Sequence, residues 1–471
     1  MRGGAGREGD QRVVADHATT AARARSTRAA GDGGPRGPAA APAARTSRVA
    51  VLGAGVTGLC AAYALARDGH EVVVLERNPE AAREASYANG GQLSYAYVAP
   101  LAAPGVPAKI PAWLLDAEGP VRFRPRLDPA QWAWGLRFLR ACTGPQADAT
   151  TRRLLRLAAL SRRLLHEVAE REGLAFDHAR TGKLVVHSDP AAFEDARRLM
   201  AYQATLGSEQ EALGPEDCLR VEPALRAIRS RLVGGIHTPS EEAGDCRRFC
   251  LALSDVLAGR YGVRFRWGVE VRQLLALGGR VRAAMTPGGA VEADAFVVSA
   301  GAAAVGLLRP LGLRLPLYPL KGYSLTLPAS DAPGAAPRVS VTDAARKVVY
   351  ARLGGALRVA GMADLVGRDV RADPARLETL LRQAREAFPD ASADPAWSRI
   401  GPWAGLRPAT PTSAPILGPV PGVGGLHLNV GQGALGFTLA MASGRVVADG
   451  VAGREAAVPM EGFSARDHGV A

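Results

Sequence analysis

Three glycines, Gly53, Gly55 and Gly58, are spaced G-x-G-x-x-G, and the acid Glu76 follows 23 residues after the first of them. That set of residues suits a nucleotide diphosphate. The first glycine makes a tight turn, the second admits a pyrophosphate, and the third lets a helix pack closely on a strand. Backbone N–H groups at the positive end of the helix would receive the phosphates. A carboxylate at position 76 can take both hydroxyls of an adenosine ribose. The expected contacts are Val49, Ala50, Val51, Leu52, Gly53, Ala54, Gly55, Val56, Thr57 and Gly58, then Glu76 with its neighbour Arg77.

The flanking residues supply the elements such a site needs. Residues 49–52 are wholly apolar, as in a strand buried on both sheet faces. Residues 59–67 are rich in Ala and Leu and read as a helix, stopped at Asp68-Gly69, and a second apolar strand ends on Glu76. Residues 49–66 also form an uncharged run of 18, the length at which a membrane span becomes a candidate. Three glycines in six positions weaken that alternative, and it leaves the Val-rich strand before Glu76 unexplained. A small-residue loop leaves the second strand at Ser86, Asn89, Gly90, Gly91 and Gln92, where cofactors bind in such sheets. Another buried strand ends in the small pair Ala300-Gly301, which again lets a cofactor approach the backbone. Near the C-terminus a strand at 426–430, a turn at Gly431-Gln432-Gly433 and a helix through Leu435 and Gly436 repeat the opening pattern. The helix dipole there could stabilise negative charge on a bound group.

The 471 residues are 47% hydrophobic and 22% charged, enough for a large core in two or three domains. Of the formal charge of +13, +4 falls in residues 1–47, which hold eight Arg against four acids. That Ala-, Arg- and Gly-dominated segment is expected to be a disordered tail, and it lacks the apolar core of a secretion signal. No basic helix interleaved with aromatics runs along a groove, so nucleic acid is not an expected partner. An anionic membrane surface still attracts such a chain. Cys60, Cys142, Cys218, Cys246 and Cys250 fit neither a disulfide framework nor a zinc spacing. No metal site is expected, and reduced thiols suit a cytoplasmic protein.

The fold class expected is therefore α/β, a Rossmann-like domain plus a second domain on a mainly antiparallel sheet. The first is assembled discontinuously from 48–95, about 215–305 and about 400–460. The second takes about 96–214 and 306–399, where residues 316–362 alternate in strand fashion. Residues 95–142, with Tyr95, Tyr97, Trp113, Trp132, Trp134 and many prolines, suggest an irregular lobe over a pocket. Within it, residues 129–142 could form a basic, aromatic, amphipathic helix. Such a helix either faces the core or lies on a membrane surface.

From residue 48 to residue 463 the chain resembles the flavin-bearing subunit of D-amino-acid dehydrogenases, within the D-amino-acid oxidase superfamily. The resemblance rests on the Gly53–Gly58 turn, residues 99–107 (APLAAPGVP), Gly244-Asp245-Cys246, residues 318–326 (YPLKGYSLT), Gly405-Leu406-Arg407-Pro408, and the glycine turn after Asn429. It implies non-covalent FAD and oxidative deamination of small D-amino acids such as D-alanine to 2-oxo acids and ammonia. It also implies electron delivery to a respiratory quinone, with peripheral contact at the inner membrane. Two positions depart from the pattern: Gln432 stands where many members have His, and Thr412 where Asp is usual. Given such a substrate, its carboxylate needs a bidentate cation, and Arg407, in a stretch fixed by Gly and Pro, is the expected one. Tyr97 and Tyr323 are further candidates for the pocket. Two other functions remain open: an O2-dependent oxidase of glycine, sarcosine or another secondary amine, and a redox-silent nucleotide-binding regulator.

Overall fold

The apolar run after Ser47 forms the strand Arg48–Leu52, with Val49, Ala50, Val51 and Leu52 at most 2% exposed. In this computed structural model, which describes residues 46–116 and 118–470, that strand lies inside a six-stranded sheet. The order is Ile416–Pro419, Leu426–Val430, Ala295–Val298, Arg48–Leu52, Glu71–Glu76, Arg264–Trp267, and all neighbours are parallel except the outermost Ile416–Pro419. Side-chain alternation divides the strand between two cores. Val49 and Val51 pack with the helices, while Ala50 and Leu52 pack with a small antiparallel sheet spanning residues 273–292. Residues 49–66 are thus strand, turn and helix. Among the described residues no helix is long and apolar enough to cross a membrane.

Helix Val56–Arg67 is Ala-rich and nearly all buried, and it is crossed by the C-terminal helix Gly436–Val451. The contact is close because Gly444 lacks a side chain: a Cβ there would lie 2.5 Å from the carbonyl carbon of Cys60. The long helix Gly144–Glu172 and the helix Cys246–Tyr261 complete this layer. All five cysteines are free and buried.

The second sheet has nine strands and is mainly antiparallel. Its path runs Gly401–Ala409, Tyr318–Pro328, Ala356–Leu365, Val348–Leu353, Ser340–Asp343, Lys183–His187, Gly234–Thr238, Glu211–Leu213, with Val121–Phe123 beside Ala356–Leu365. Helix Pro374–Ala387 packs on one face through Leu380, Ala384 and Ala387. The segment boundaries differ from the expected ones in two places. Gly234–Thr238 and Gly401–Ala409 join this sheet, because each finds an antiparallel partner there, in Lys183–His187 and Tyr318–Pro328. Both sheets belong to one compact unit, Arg45–Ala471. The expected tail, residues 1–47, lies almost wholly outside the described residues.

The stretch 95–142 is more ordered than an irregular lobe, with helices at Val106–Leu115 and Pro129–Ala141. The second of these helices is capped by Asp128, whose carboxylate accepts from the Ala130 N–H. It buries only Gln131, Trp134 and Ala141. Trp132, Leu136 and Leu139 remain about half exposed, beside exposed Arg137 and Arg140.

Candidate active site

The glycine turn has the shape its spacing implies. Gly53 has φ +107, and a Cβ on it would meet the Ser299 carbonyl oxygen at 2.7 Å. A Cβ on Gly58 would fall 2.0 Å from the Gly53 carbonyl oxygen, so helix and strand touch there. Gly55 is different: a Cβ would meet only Ser86 Oγ, at 3.6 Å, so the space before it is open to a ligand. The helix that follows has no acid in its first turn, and its first N–H, on Val56, donates to Ser86 Oγ at 3.1 Å. Its positive end suits an anion. The Glu76 carboxylate reaches back across the turn, accepting from Ala54 N–H at 2.7 Å and Asn78 N–H at 2.9 Å. It therefore lies within one hydrogen bond of the diphosphate loop, where a ribose would follow. Arg77 instead turns outward to pair with Glu84 at 2.5 Å. Val49, Ala50 and Val51 are scaffold, their side chains taken up by the two cores.

The other expected segments converge on this sheet end. Asn429 Nδ2 donates to the Thr57 carbonyl at 2.9 Å, and Gln432 Nε2 donates to Asn429 Oδ1 at 2.7 Å. Gly431 has φ +87, and a Cβ there would strike Thr410 Cγ2 at 2.8 Å. Leu435 and Gly436 lead into the C-terminal helix, which has no side-chain cap and no acid in its first turn. Ala300 and Gly301 turn the chain away just after Ser299 N–H has bonded the Leu52 carbonyl.

The loop from Ser86 to Gln92 is held by the second sheet. Ser324 Oγ donates to the Ala88 carbonyl at 2.6 Å, Arg358 Nη1 donates to the Asn89 carbonyl at 2.6 Å, and Gln92 Nε2 donates to Ser340 Oγ at 2.7 Å. A Cβ on Gly90 would meet Val349 and one on Gly91 would meet Leu353, each at 2.9 Å.

Arg407 lies on this same face. Its guanidinium covers Gly322, where a Cβ would sit 2.3 Å from Nη2. Nη1 donates to the Met362 carbonyl at 2.7 Å. Met362 has φ +63, an uncommon backbone conformation for a residue with a side chain. Burial lowers the Arg407 pKa, and the Asp364 charge opposes that shift. Among the described residues no carboxylate forms an ion pair with the Arg407 guanidinium. Two residues further on, Ala409 bridges to Gln432, which ties the arginine strand to the glycine turn.

Residues 48–450 match the model of the family described as DAO, FAD dependent oxidoreductase. The chain belongs to that family. It is 51% identical to D-amino acid dehydrogenase 2 of Ralstonia nicotianae, over 87% of this chain and 98% of that protein. It is 48% identical to D-amino acid dehydrogenase 2 of Pseudomonas aeruginosa, over 89% and 98% respectively. Its fold is similar to that of glycine oxidase from Geobacillus kaustophilus, with a TM-score of 0.70 and 24% identity over 89% of this chain and 98% of that one.

In this FAD-dependent oxidoreductase the open space at Gly55, the acid-free helix N-terminus and the reach of Glu76 fit the dinucleotide. Tyr97 has a half-buried ring lying 4.1 Å from Lys183 Nζ, and its N–H donates to Glu241 Oε1 at 3.2 Å. Tyr323 departs from expectation. On strand Tyr318–Pro328, Gly322, Ser324 and Thr326 face the Ser86–Gln92 loop and Arg407, so Tyr323, Leu325 and Leu327 face the helix-covered core. The Tyr323 hydroxyl donates to Asp364 at 2.9 Å and accepts from Arg122 at 3.3 Å. A cavity of about 340 Å³ is lined by Arg122, Arg124, Arg126, Lys321 and Arg371 together with the acids Asp369 and Asp373, and Arg407 is not among its lining residues.

Sequence reasoning missed Arg358, Ser324 and the Lys183–Glu241 pair. Lys183 is 2% exposed, donates to Ser94 Oγ at 2.9 Å, and is pushed down to about 8 by burial, against the charge of Glu241. Burial likewise raises the Glu241 carboxyl. Nothing in the local spacing marks any of these residues, because each acts on the segment 88–97, far away in sequence.

Proposed function

We propose that the protein oxidatively deaminates small D-amino acids to 2-oxo acids and ammonia, and passes the electrons to a quinone at a membrane surface. The observation carrying this reading is Arg407: a cation on the sheet face that holds the Ser86–Gln92 loop, fixed by one backbone carbonyl and, among the described residues, by no carboxylate. Two of its N–H groups can take a substrate carboxylate side by side, and a site shielded from water strengthens that pairing. The arginine fixes one end of the substrate, and the remaining pocket sets which face of Cα is presented. Bound FAD, held without a covalent link, supplies the hydride acceptor. The glycine turn and the N-terminus of helix Gly436–Val451 place positive partial charge beside the site. The names of relatives 48–51% identical over almost their whole lengths support D-amino acids as the substrate class.

The membrane part of the reading is supported by helix Pro129–Ala141, whose outer face carries Trp132, Leu136 and Leu139, with the fully exposed Leu127 just before it. A panel of D- and L-amino acids, assayed anaerobically by bleaching of the flavin band, tests the substrate. Bleaching by D-alanine but not L-alanine is expected; the reverse would remove the D-specific reading. Reoxidation by a quinone analogue should outpace reoxidation by O2. Peroxide formed in proportion to substrate would instead make the protein an oxidase.

A further inference from the structure

Away from Arg407 and the glycine turns, two histidines and a glutamate meet in a cluster that the reaction above does not use. His166 projects from helix Gly144–Glu172, His178 from the segment after that helix, and Glu242 from the short strand Glu242–Ala243. Both imidazole Nε2 atoms lie 2.7 Å from the Glu242 carboxylate, one on each oxygen. The three ligand atoms fall within 4.8 Å of one another. Glu242 is 1% exposed, whereas the two histidine side chains are 24% and 16% exposed, so the cluster is anchored inside and open on one side.

We propose that His166, His178 and Glu242 form a binding site for a divalent transition-metal ion of the zinc, nickel or cobalt type. Two imidazoles and one carboxylate are a borderline donor set, which favours these ions over magnesium or calcium. Bonds of about 2.0–2.2 Å to each ligand require only that the two nitrogens and one carboxylate oxygen open slightly around the ion. The open side leaves room for water to complete the coordination.

Each ligand is already fixed by its own surroundings. The His178 ring stacks on Phe176 with centroids 4.9 Å apart and planes 14° apart, and Phe176 is fully buried. Glu242 pairs with Leu93 in the two-stranded ladder next to Gln92. An ion here would therefore clamp the long helix to the strand that pairs with Gln92 and Leu93. Two arginines oppose an ion at the site: Arg162 Nε lies 3.3 Å from Glu242 Oε1, and the charge of Arg180 also acts on His166. The Arg162 side chain is 38% exposed and can swing into solvent, so an incoming ion can replace it as the countercharge of Glu242.

That competition gives the test two opposite arms. The full-length, FAD-loaded protein, free of any histidine tag and stripped with chelator, is titrated calorimetrically with Zn2+, Ni2+ and Co2+ separately. FAD occupancy is checked by absorbance in every variant. Wild type should take up one equivalent and melt at higher temperature with metal than without. His166→Ala and His178→Ala should each weaken binding by about 100-fold or more, beyond the range seen for outer-sphere partners. Arg162→Gln should tighten it. If wild type shows no saturable uptake, or if either histidine can be removed without effect on affinity, the cluster is a hydrogen-bonded brace and the proposal fails. If a histidine variant does not fold, Arg162→Gln still decides, since binding equal to or weaker than wild type there also overturns it.

Discussion

A guanidinium with no ion-paired acid among the described residues makes Arg407 the residue on which substrate affinity should turn. Removing one partner of a desolvated charge pair costs roughly 2–5 kcal/mol, or about 30- to 5,000-fold in binding. Arg407→Ala should raise KM for D-amino acids by that order while FAD stays bound. Arg407→Lys should recover only part of the loss, since an ammonium lacks the planar fork. Loss of flavin or unfolding in Arg407→Ala, with normal affinity in the intact fraction, would make the residue structural. Tyr323 should behave in the opposite way. Its hydroxyl bridges Asp364 and Arg122 inside the core, so Tyr323→Phe should cost about 1–3 kcal/mol of stability with KM unchanged. A raised KM at unaltered stability would return Tyr323 to the pocket. Lys183 gives a pH signature. Its folded pKa, about 8, lies below its ordinary 10.5, so between these values the unfolded chain binds the extra proton. Stability should therefore rise with pH from about 8 to about 10.5, by at most about 3 kcal/mol from this group. Urea unfolding across that window should show the rise in wild type and lose it in Lys183→Met; equal slopes would mean the lysine is hydrated.

At the scale of elements, the strand, turn and helix around Gly53 were legible because everything needed is local. Apolar run, glycine spacing, helix stop and terminal acid all fall between Arg48 and Glu76. Gly55→Val tests that unit directly, since a branched side chain would enter the space left for the pyrophosphate. The variant should fold but purify with little FAD, and full occupancy would move the phosphate path elsewhere. The second sheet was legible only as alternation. Which face Tyr323 takes follows from the pairing of Tyr318–Pro328 with Gly401–Ala409 and from an irregularity between Lys321 and Tyr323. Neither partner strand is near in sequence, so the facing of one tyrosine could not be read locally. The same reason hid Arg358, whose role is to grip Asn89 from another strand. It also hid the His166–His178–Glu242 cluster, which has no fixed spacing to notice. Helix Pro129–Ala141 was legible as amphipathic, but its hydrophobic residues do not form a single buried stripe. Trp134 turns inward to bond the Ala409 carbonyl at 2.9 Å, while Trp132 on the same helix stays outside.

For the molecule as a whole, the proposed membrane contact would draw on a formal charge of +13 and on the exposed apolar face of helix Pro129–Ala141. At an anionic bilayer the charge would act as a salt-screened attraction, whereas inserted tryptophan and leucine side chains would not respond to salt. The two contributions can therefore be separated. Binding to vesicles containing anionic lipid should exceed binding to neutral vesicles, and should fall steeply when salt is raised from low ionic strength to 0.15 M, where the screening length is about 8 Å. Arg137→Gln and Arg140→Gln should each weaken binding by about fivefold, for about 1 kcal/mol per basic residue near the surface. Trp132→Asp and Leu136→Asp should weaken it at every salt concentration, because they remove inserted area. None of these four changes lies at the glycine turn or Arg407, so turnover with a water-soluble dye should be unchanged. Turnover with a quinone dissolved in the vesicles should fall in parallel with binding. If it holds constant while binding is lost, electrons leave the flavin by a route that does not require this face. Absence of vesicle binding by the wild type would place the acceptor in solution.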